Sequence, residues 1–145
     1  MTQSDLEAFL ADLSNVQRSE NFGYTFFFVG DDHRLPFTTI ASSDNEYDKV
    51  SHLDRQGVFR VNIGVSKATF DALLGSSASQ DIDYAALNVF LPHPDYARQH
   101  FVCILNPSGE NAETTKRLVL EAHSISDARR QRKAGRRDIE SADEA

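Results

Sequence analysis

Apolar and polar residues alternate most clearly over residues 58–65, where Phe59, Val61, Ile63 and Val65 occupy every second position. Successive side chains of an extended chain point to opposite faces, so these four share one face, which reads as core. Val58, Arg60 and Asn62 share the other, with Gly64 leaving bare backbone beside them. This is the pattern of an antiparallel strand with one buried and one solvated face. Residues 24–29 (YTFFFV) are apolar on both faces, which predicts a strand that is central or packed by a helix. A turn at residues 30–33 and a second strand at 36–41 (PFTTIA) predict a hairpin. Residues 101–105 (FVCIL) read as a further strand, whereas 86–91 (ALNVFL) fit a strand and 82–87 equally fit a helical turn. Pro92-His93-Pro94 imposes an extended break, because each proline restricts the residue before it.

Helical periodicity appears three times. Ser4 and Glu7 have capping-box spacing, and Leu6, Phe9, Leu10, Leu13 and Val16 follow at helical intervals until Asn21 and Gly23 break the pattern. Ser66 starts a short helix through Phe70, Leu73 and Leu74 that stops at Gly75. A last helix begins near Glu110 or Asn111, with Leu118, Val119, Ala122 and Ile125 on its apolar side, and frays past Arg130. Two stretches are polar: residues 42–56, a long charged surface connection, and residues 75–81 (GSSASQD), a flexible loop by composition. Strands that follow one another without long intervening helices disfavour a doubly wound fold. The order predicts an α+β fold: one layer of four to five mostly antiparallel strands, with the N- and C-terminal helices packed on one face. One domain is expected over residues 1–132, followed by a disordered charged tail over 133–145.

Composition narrows the class. With 145 residues, 40% apolar and 26% charged, the chain has the make-up of a soluble domain with one core. A single cysteine, Cys103, excludes an intramolecular disulfide, and its apolar neighbours mark it as a core thiol. The first residues carry no basic segment leading into an apolar run, and no stretch approaches the length of a membrane span, so the cytoplasm is the expected location. The net charge of −7 hides an asymmetry: residues 1–128 hold 9 basic and 18 acidic side chains, residues 129–137 (RRQRKAGRR) add six positive charges, and residues 138–145 add four negative ones. So acidic a body repels phosphate backbones, and only the arm formed by Arg129, Arg130, Arg132, Lys133, Arg136 and Arg137 offers a nucleic-acid contact. Without aromatic residues in the arm there is no stacking platform, so such contact is non-specific and salt-sensitive.

Signatures of catalysis are missing from the sequence. The five histidines show no HExxH spacing; His93 and His100 bracket HPDYARQH, where Asp95 completes a three-residue metal candidate that lacks convergent ligands. There is no GxSxG elbow and no glycine-rich phosphate loop. The carboxylate pairs Asp31-Asp32 and Asp81-Asp83 fall at turns, where aspartate is favoured for its local hydrogen bonds. One diffuse constellation remains: Asp54, Arg55, Arg60, Asn62, His93 and Tyr96. If the loop before residue 58 and the HPDY loop meet over the polar face of the strand, these side chains converge on a small polar or anionic molecule. The structural alternative is that Asp54 and Arg55 fix their loop by a salt bridge while His93 and Tyr96 lock the proline turn.

The segments LDRQGVFRVNIGV (residues 53–65) and LPHPDYARQHFVCILNP (residues 91–107), with the EAH of the last helix, resemble a bacterial family of uncharacterised small domains. Its pattern is LDR-x-GVFR-x-NIGV, then HP-x-Y, then a strand ending in LNP. The matching positions here are Leu53, Asp54, Arg55, residues 57–60, residues 62–65, His93, Pro94, Tyr96 and residues 105–107. The likeness spans most of residues 5–132 and implies no activity. More distantly the chain resembles the MmcQ/YjbR group, which implies an antiparallel sheet with flanking helices and, by analogy of fold alone, DNA binding. The leading functional reading is a non-catalytic accessory domain that binds a small polar ligand or a protein, with no cofactor. Its alternatives are nucleic-acid binding through the C-terminal arm and a hydrolase-like enzyme using Asp54, His93 and Tyr96.

Overall fold

A computed structural model describes residues 1–31, 33–75 and 81–144, with side chains through Gly135. In chain order the elements are α1 (Gln3–Ala11), β1 (Val16–Asn21), β2 (Tyr24–Val29), β3 (Thr38–Ala41), β4 (Arg60–Gly64), α2 (Lys67–Leu74), β5 (Leu91–Pro92), β6 (Phe101–Leu105) and α3 (Glu110–Glu144). All pairings are antiparallel, in the order β1-β2-β3-β4-β6-β5. The fold is therefore α+β, as the patterning predicts, but among the described residues the sheet has six strands rather than four or five.

The extra strands have physical causes. The helical spacing that extends to Val16 stops being helical at Ala11, and Asn15 then turns the chain through φ 60°. Asparagine tolerates that left-handed conformation better than most residues, so the chain reverses there and Val16 opens a strand. Only Val16 of β1 is partly covered, as suits an edge strand built of Gln, Arg, Ser, Glu and Asn. A two-residue turn, Phe22-Gly23, with both φ angles positive (52° and 81°), matches the twist of the β1–β2 hairpin. The capping box of α1 is Thr2 with Asp5, two residues before the predicted Ser4 and Glu7. Residues 86–90 form no strand; only Leu91 and Pro92 pair with β6. The predicted loop at 75–81 falls largely on residues 76–80, outside the described residues.

One face of the sheet packs on the helices. Cross-strand register places Thr25, Ile40, Val61 and Ile104 in one row, and Phe27, Thr38, Ile63 and Val102 in the next. Leu6 and Leu10 of α1, Phe70 and Leu74 of α2, and Leu118, Val119 and Ala122 of α3 close over this face. Glu121 of α3 ties two helices together: it accepts from the Ser66 backbone N–H (3.1 Å) and the Thr69 hydroxyl (2.7 Å), both at the start of α2. Among the described residues, no helix is long and apolar enough to cross a membrane.

Candidate functional site

The opposite face carries two rows of its own. Tyr24, Ala41, Arg60 and Leu105 form one, and Phe26, Thr39, Asn62, Cys103 and Leu91 the other. This face is not solvated, contrary to what alternation in β4 suggests: Arg60 has 0% and Asn62 2% of its surface exposed. Residues 42–59 fold back across it. Local hydrogen bonds hold that loop, with the Leu53 N–H donating to Asp44 Oδ1 (2.8 Å), the Asp44 N–H to Asp54 Oδ1 (3.0 Å) and the Tyr47 N–H to Asn45 Oδ1 (2.8 Å). Leu53 is buried beside Ala41 and Leu105, which anchors the loop by apolar contact.

The loop delivers a carboxylate to the buried guanidinium. Arg60 donates from both terminal nitrogens to the two oxygens of Asp48, at 3.1 and 2.6 Å, to Ser51 Oγ at 3.0 Å and through Nε to Asn62 Oδ1 at 2.9 Å. Tyr24 donates its hydroxyl to the same Asp48 carboxylate, and Asn62 Nδ2 donates to Thr39 Oγ1 at 2.9 Å. Burial pushes the Asp48 carboxyl up, but hydrogen bonds from Arg60 and Tyr24 outweigh it and hold it below its ordinary value. Burial and its contact with Asp48 push the Tyr24 phenol up.

Above this network lies a pocket of about 660 Å³. Tyr24, Phe26, Leu35, Pro36 and Phe101 supply apolar walls, and Tyr47 and Tyr96, 92% and 55% exposed, stand at the rim. Thr39, Asp48, Asn62 and His93 supply its polar floor, and Arg34, Asp95 and Gln99 add polar groups to its wall. The Phe101 ring covers the backbone at Gly64: a Cβ there would meet Phe101 Cζ at 2.8 Å, so the absent side chain makes room for this wall.

His93 is buried and its orientation is fixed. Nδ1 accepts the backbone N–H groups of Asp95 and Tyr96, both at 3.0 Å, and the ring packs 5.0 Å from Tyr96 and 6.3 Å from Phe101. A nitrogen accepting two hydrogen bonds presents its lone pair, so the ring proton sits on Nε2. Burial, with Arg60 close by, pulls the imidazole down to about 4, so His93 is neutral at physiological pH. His100 belongs elsewhere, edge-on to Phe70 at 5.7 Å.

Of the six candidates from the sequence, Asn62, His93 and Tyr96 line this one pocket, and Arg60 lies beneath it. Asp54 and Arg55 are set apart from it. The Arg55 side chain donates to the backbone oxygens of His52, Ser51 and Ala85, at 2.8, 3.0 and 3.0 Å, and so joins the loop to the 81–90 segment. No Asp54–Arg55 salt bridge is present among the described residues. Sequence reasoning missed Asp48, Tyr24, Phe26, Thr39 and Phe101. The signal for Tyr24 and Phe26 was present, since a strand apolar on both faces requires cover on both.

The arm residues divide. Arg129, Arg130 and Lys133 line a small recess of about 40 Å³ against Val29, Arg34 and Leu35, and Arg130 pairs with Asp127 at 3.0 Å. Arg132 is exposed, and the side chains of Arg136 and Arg137 lie outside the described residues, as does Asp32. Cys103 is buried with Sγ 3.8 Å from the Pro92 carbonyl, and burial pushes its thiol up to about 12. A thiol so shielded is no nucleophile.

No curated protein and no solved structure matches the chain. A family model does match, over residues 1–135 of the 145, and the chain accordingly belongs to a family of unknown function, DUF6194.

Proposed function

We propose that this protein is a non-catalytic binding domain whose pocket, on the sheet face away from the helices, takes a small molecule. One observation carries the reading. Asn62 of β4 and His93 and Tyr96 of the proline turn converge with aromatic walls on one pocket of about 660 Å³. Concave, mostly apolar sites with a few placed polar groups are where small ligands bind, and this volume lies in their usual range. A hydrolase has less support. Asp54 is directed into its own loop, and His93 has its only lone pair engaged by backbone, so it has no basic nitrogen facing the pocket.

Binding of nucleic acid through the arm is also weaker, because Arg129, Arg130 and Lys133 turn partly inward against the β2–β3 connection. The MmcQ/YjbR likeness and a bacterial source stay part of the same proposal; helices gathered on one side of an antiparallel sheet support the first. Acidic composition and a lone buried cysteine support a cytoplasmic location. The family match ends at 135, which supports a domain boundary near residue 132, while α3 itself runs on to Glu144.

The test is a thermal-shift screen of small neutral and charged compounds on the wild-type chain, on Thr39→Phe, which fills the pocket floor, and on Tyr96→Ala, which opens the wall. Compounds that stabilise the wild type are expected to lose their effect in both variants. Hits that stabilise all three proteins equally bind elsewhere and overturn the proposal.

A further inference from the structure

The polar floor of the pocket offers hydrogens and few lone pairs, and from this we infer the ligand class: a neutral molecule with a ring-sized apolar body and a carbonyl oxygen as its buried polar end. The inference rests on the small-ligand reading of the same pocket and makes it specific.

Donor directions on the floor are set by a relay that begins at Arg60. A guanidinium has no acceptor, so the Asn62 atom facing Arg60 Nε must be the amide oxygen. The Asn62 NH₂ then points the other way, giving one hydrogen to Thr39 Oγ1 and keeping a second. Thr39, having accepted there, still has its own hydroxyl hydrogen to donate. His93 ends in the same sense by an independent route: backbone N–H groups of Asp95 and Tyr96 occupy Nδ1, so Nε2 carries the proton. Among the described residues Nε2 has no hydrogen-bond partner, and it is not sealed from the pocket that His93 lines.

The carboxylate on the floor is already engaged. Both Asp48 oxygens are held by Arg60, and the Tyr24 hydroxyl adds a third bond to them. A carbonyl oxygen, with two lone pairs and no hydrogen, complements donors from His93 and Asn62 together. An ammonium or aniline head would set donor against donor and leave buried N–H groups unpaired, which costs more than the missing bond itself.

Charge selects further. Arg60 is matched by Asp48 at 2.6 Å, His93 is neutral, and the wall adds one basic and one acidic side chain, Arg34 and Asp95. The floor itself holds no unmatched cation for a carboxylate, and Arg34 stands in the wall with a partner of its own, so the neutral carbonyl is preferred. The body of the ligand stacks among Phe26, Phe101 and Tyr96, where rings contribute by area and by edge and face contacts.

The experiment titrates acetophenone, benzoate and benzylamine into the ¹⁵N-labelled full chain and into His93→Asn. Asparagine keeps an oxygen near the Nδ1 position for the Asp95 and Tyr96 N–H groups and lacks the Nε2 donor. Expected is a preference for acetophenone, shifts at residues 39, 62 and 93–101, and a loss of roughly threefold to tenfold in His93→Asn. Should His93→Asn fail to fold, the wild-type imidazole spectrum serves instead: acetophenone must move Nε2 of His93 and leave Nδ1 as an acceptor. Benzylamine binding as tightly as acetophenone, or an unmoved Nε2, overturns the donor-floor inference while the pocket reading stands. If none of the three probes shifts pocket resonances and the screen above has no pocket-dependent hit, the pocket reading falls with it.

Discussion

A guanidinium with no exposed surface is tolerable only if its charge and its hydrogens are matched, and Arg60 has Asp48, Ser51 and Asn62 to do so. The network therefore fixes geometry more than it adds stability. Arg60→Met alone strands the Asp48 carboxylate and is expected to lower unfolding free energy by about 3–5 kcal/mol, whereas Arg60→Met with Asp48→Leu recovers most of that loss. Urea unfolding of the three proteins checks this; equal losses in the single and double variants would refute it. His93 makes its own demand on pH. Its folded pKa is about 4 against an ordinary 6.5, so below pH 6.5 the unfolded chain takes up a proton that the native state refuses. Stability contributed by the neutral ring is whole above pH 6.5 and falls on the order of 3 kcal/mol by pH 4. Asp48, with its pKa lowered, adds a second loss only below about 3.8, as pH drops through its folded value. Denaturant melts from pH 7 to 4 should show the first limb, flattened in His93→Asn.

At the scale of elements, the connections decide where the site stands. Glu121 of α3 serves the N-terminus of α2, taking a backbone N–H that the first turn cannot use. Glu121→Ala is expected to cost about 1–2 kcal/mol in thermal or urea unfolding, while leaving pocket resonances unmoved. A shift of Phe101 or His93 signals in that variant would show that helix and pocket layers are coupled. The hairpin of β2 and β3, the central strand β4, the last strand β6 and all three helices were legible because their apolar spacing is strong. β1 was not, because five of its six residues face water and its first residue continues a helical spacing by coincidence. A two-residue strand such as β5 leaves no periodic trace at all.

The whole molecule divides into a helix-covered face and a loop-covered face, and the first was the better read from sequence. Alternation in β4 suggested solvent beyond Arg60 and Asn62, yet β2, two strands away in the same sheet, was apolar on both sides. One face cannot be wet at β4 and apolar at β2 without a cover between them. Residues 42–59 provide it, and their charges look solvated until Asp48 is placed against Arg60. The long loop was thus the legible hint, while its partner, 12 residues on and across a strand, was not. Charge at this scale argues against phosphate-backbone partners, since 18 acidic groups in residues 1–128 outnumber 9 basic ones.

His93 joins these scales: its ring is fixed by the proline turn and lines the pocket, and the proposed recognition rests on its proton. Long-range ¹H–¹⁵N spectra of its imidazole between pH 8 and pH 3.5 test that directly. The expected result is a neutral ring protonated on Nε2 throughout the range above about pH 4, with Nδ1 at the shift of a hydrogen-bond acceptor. A His93 that titrates near 6.5, or that carries its neutral-state proton on Nδ1, would contradict the account.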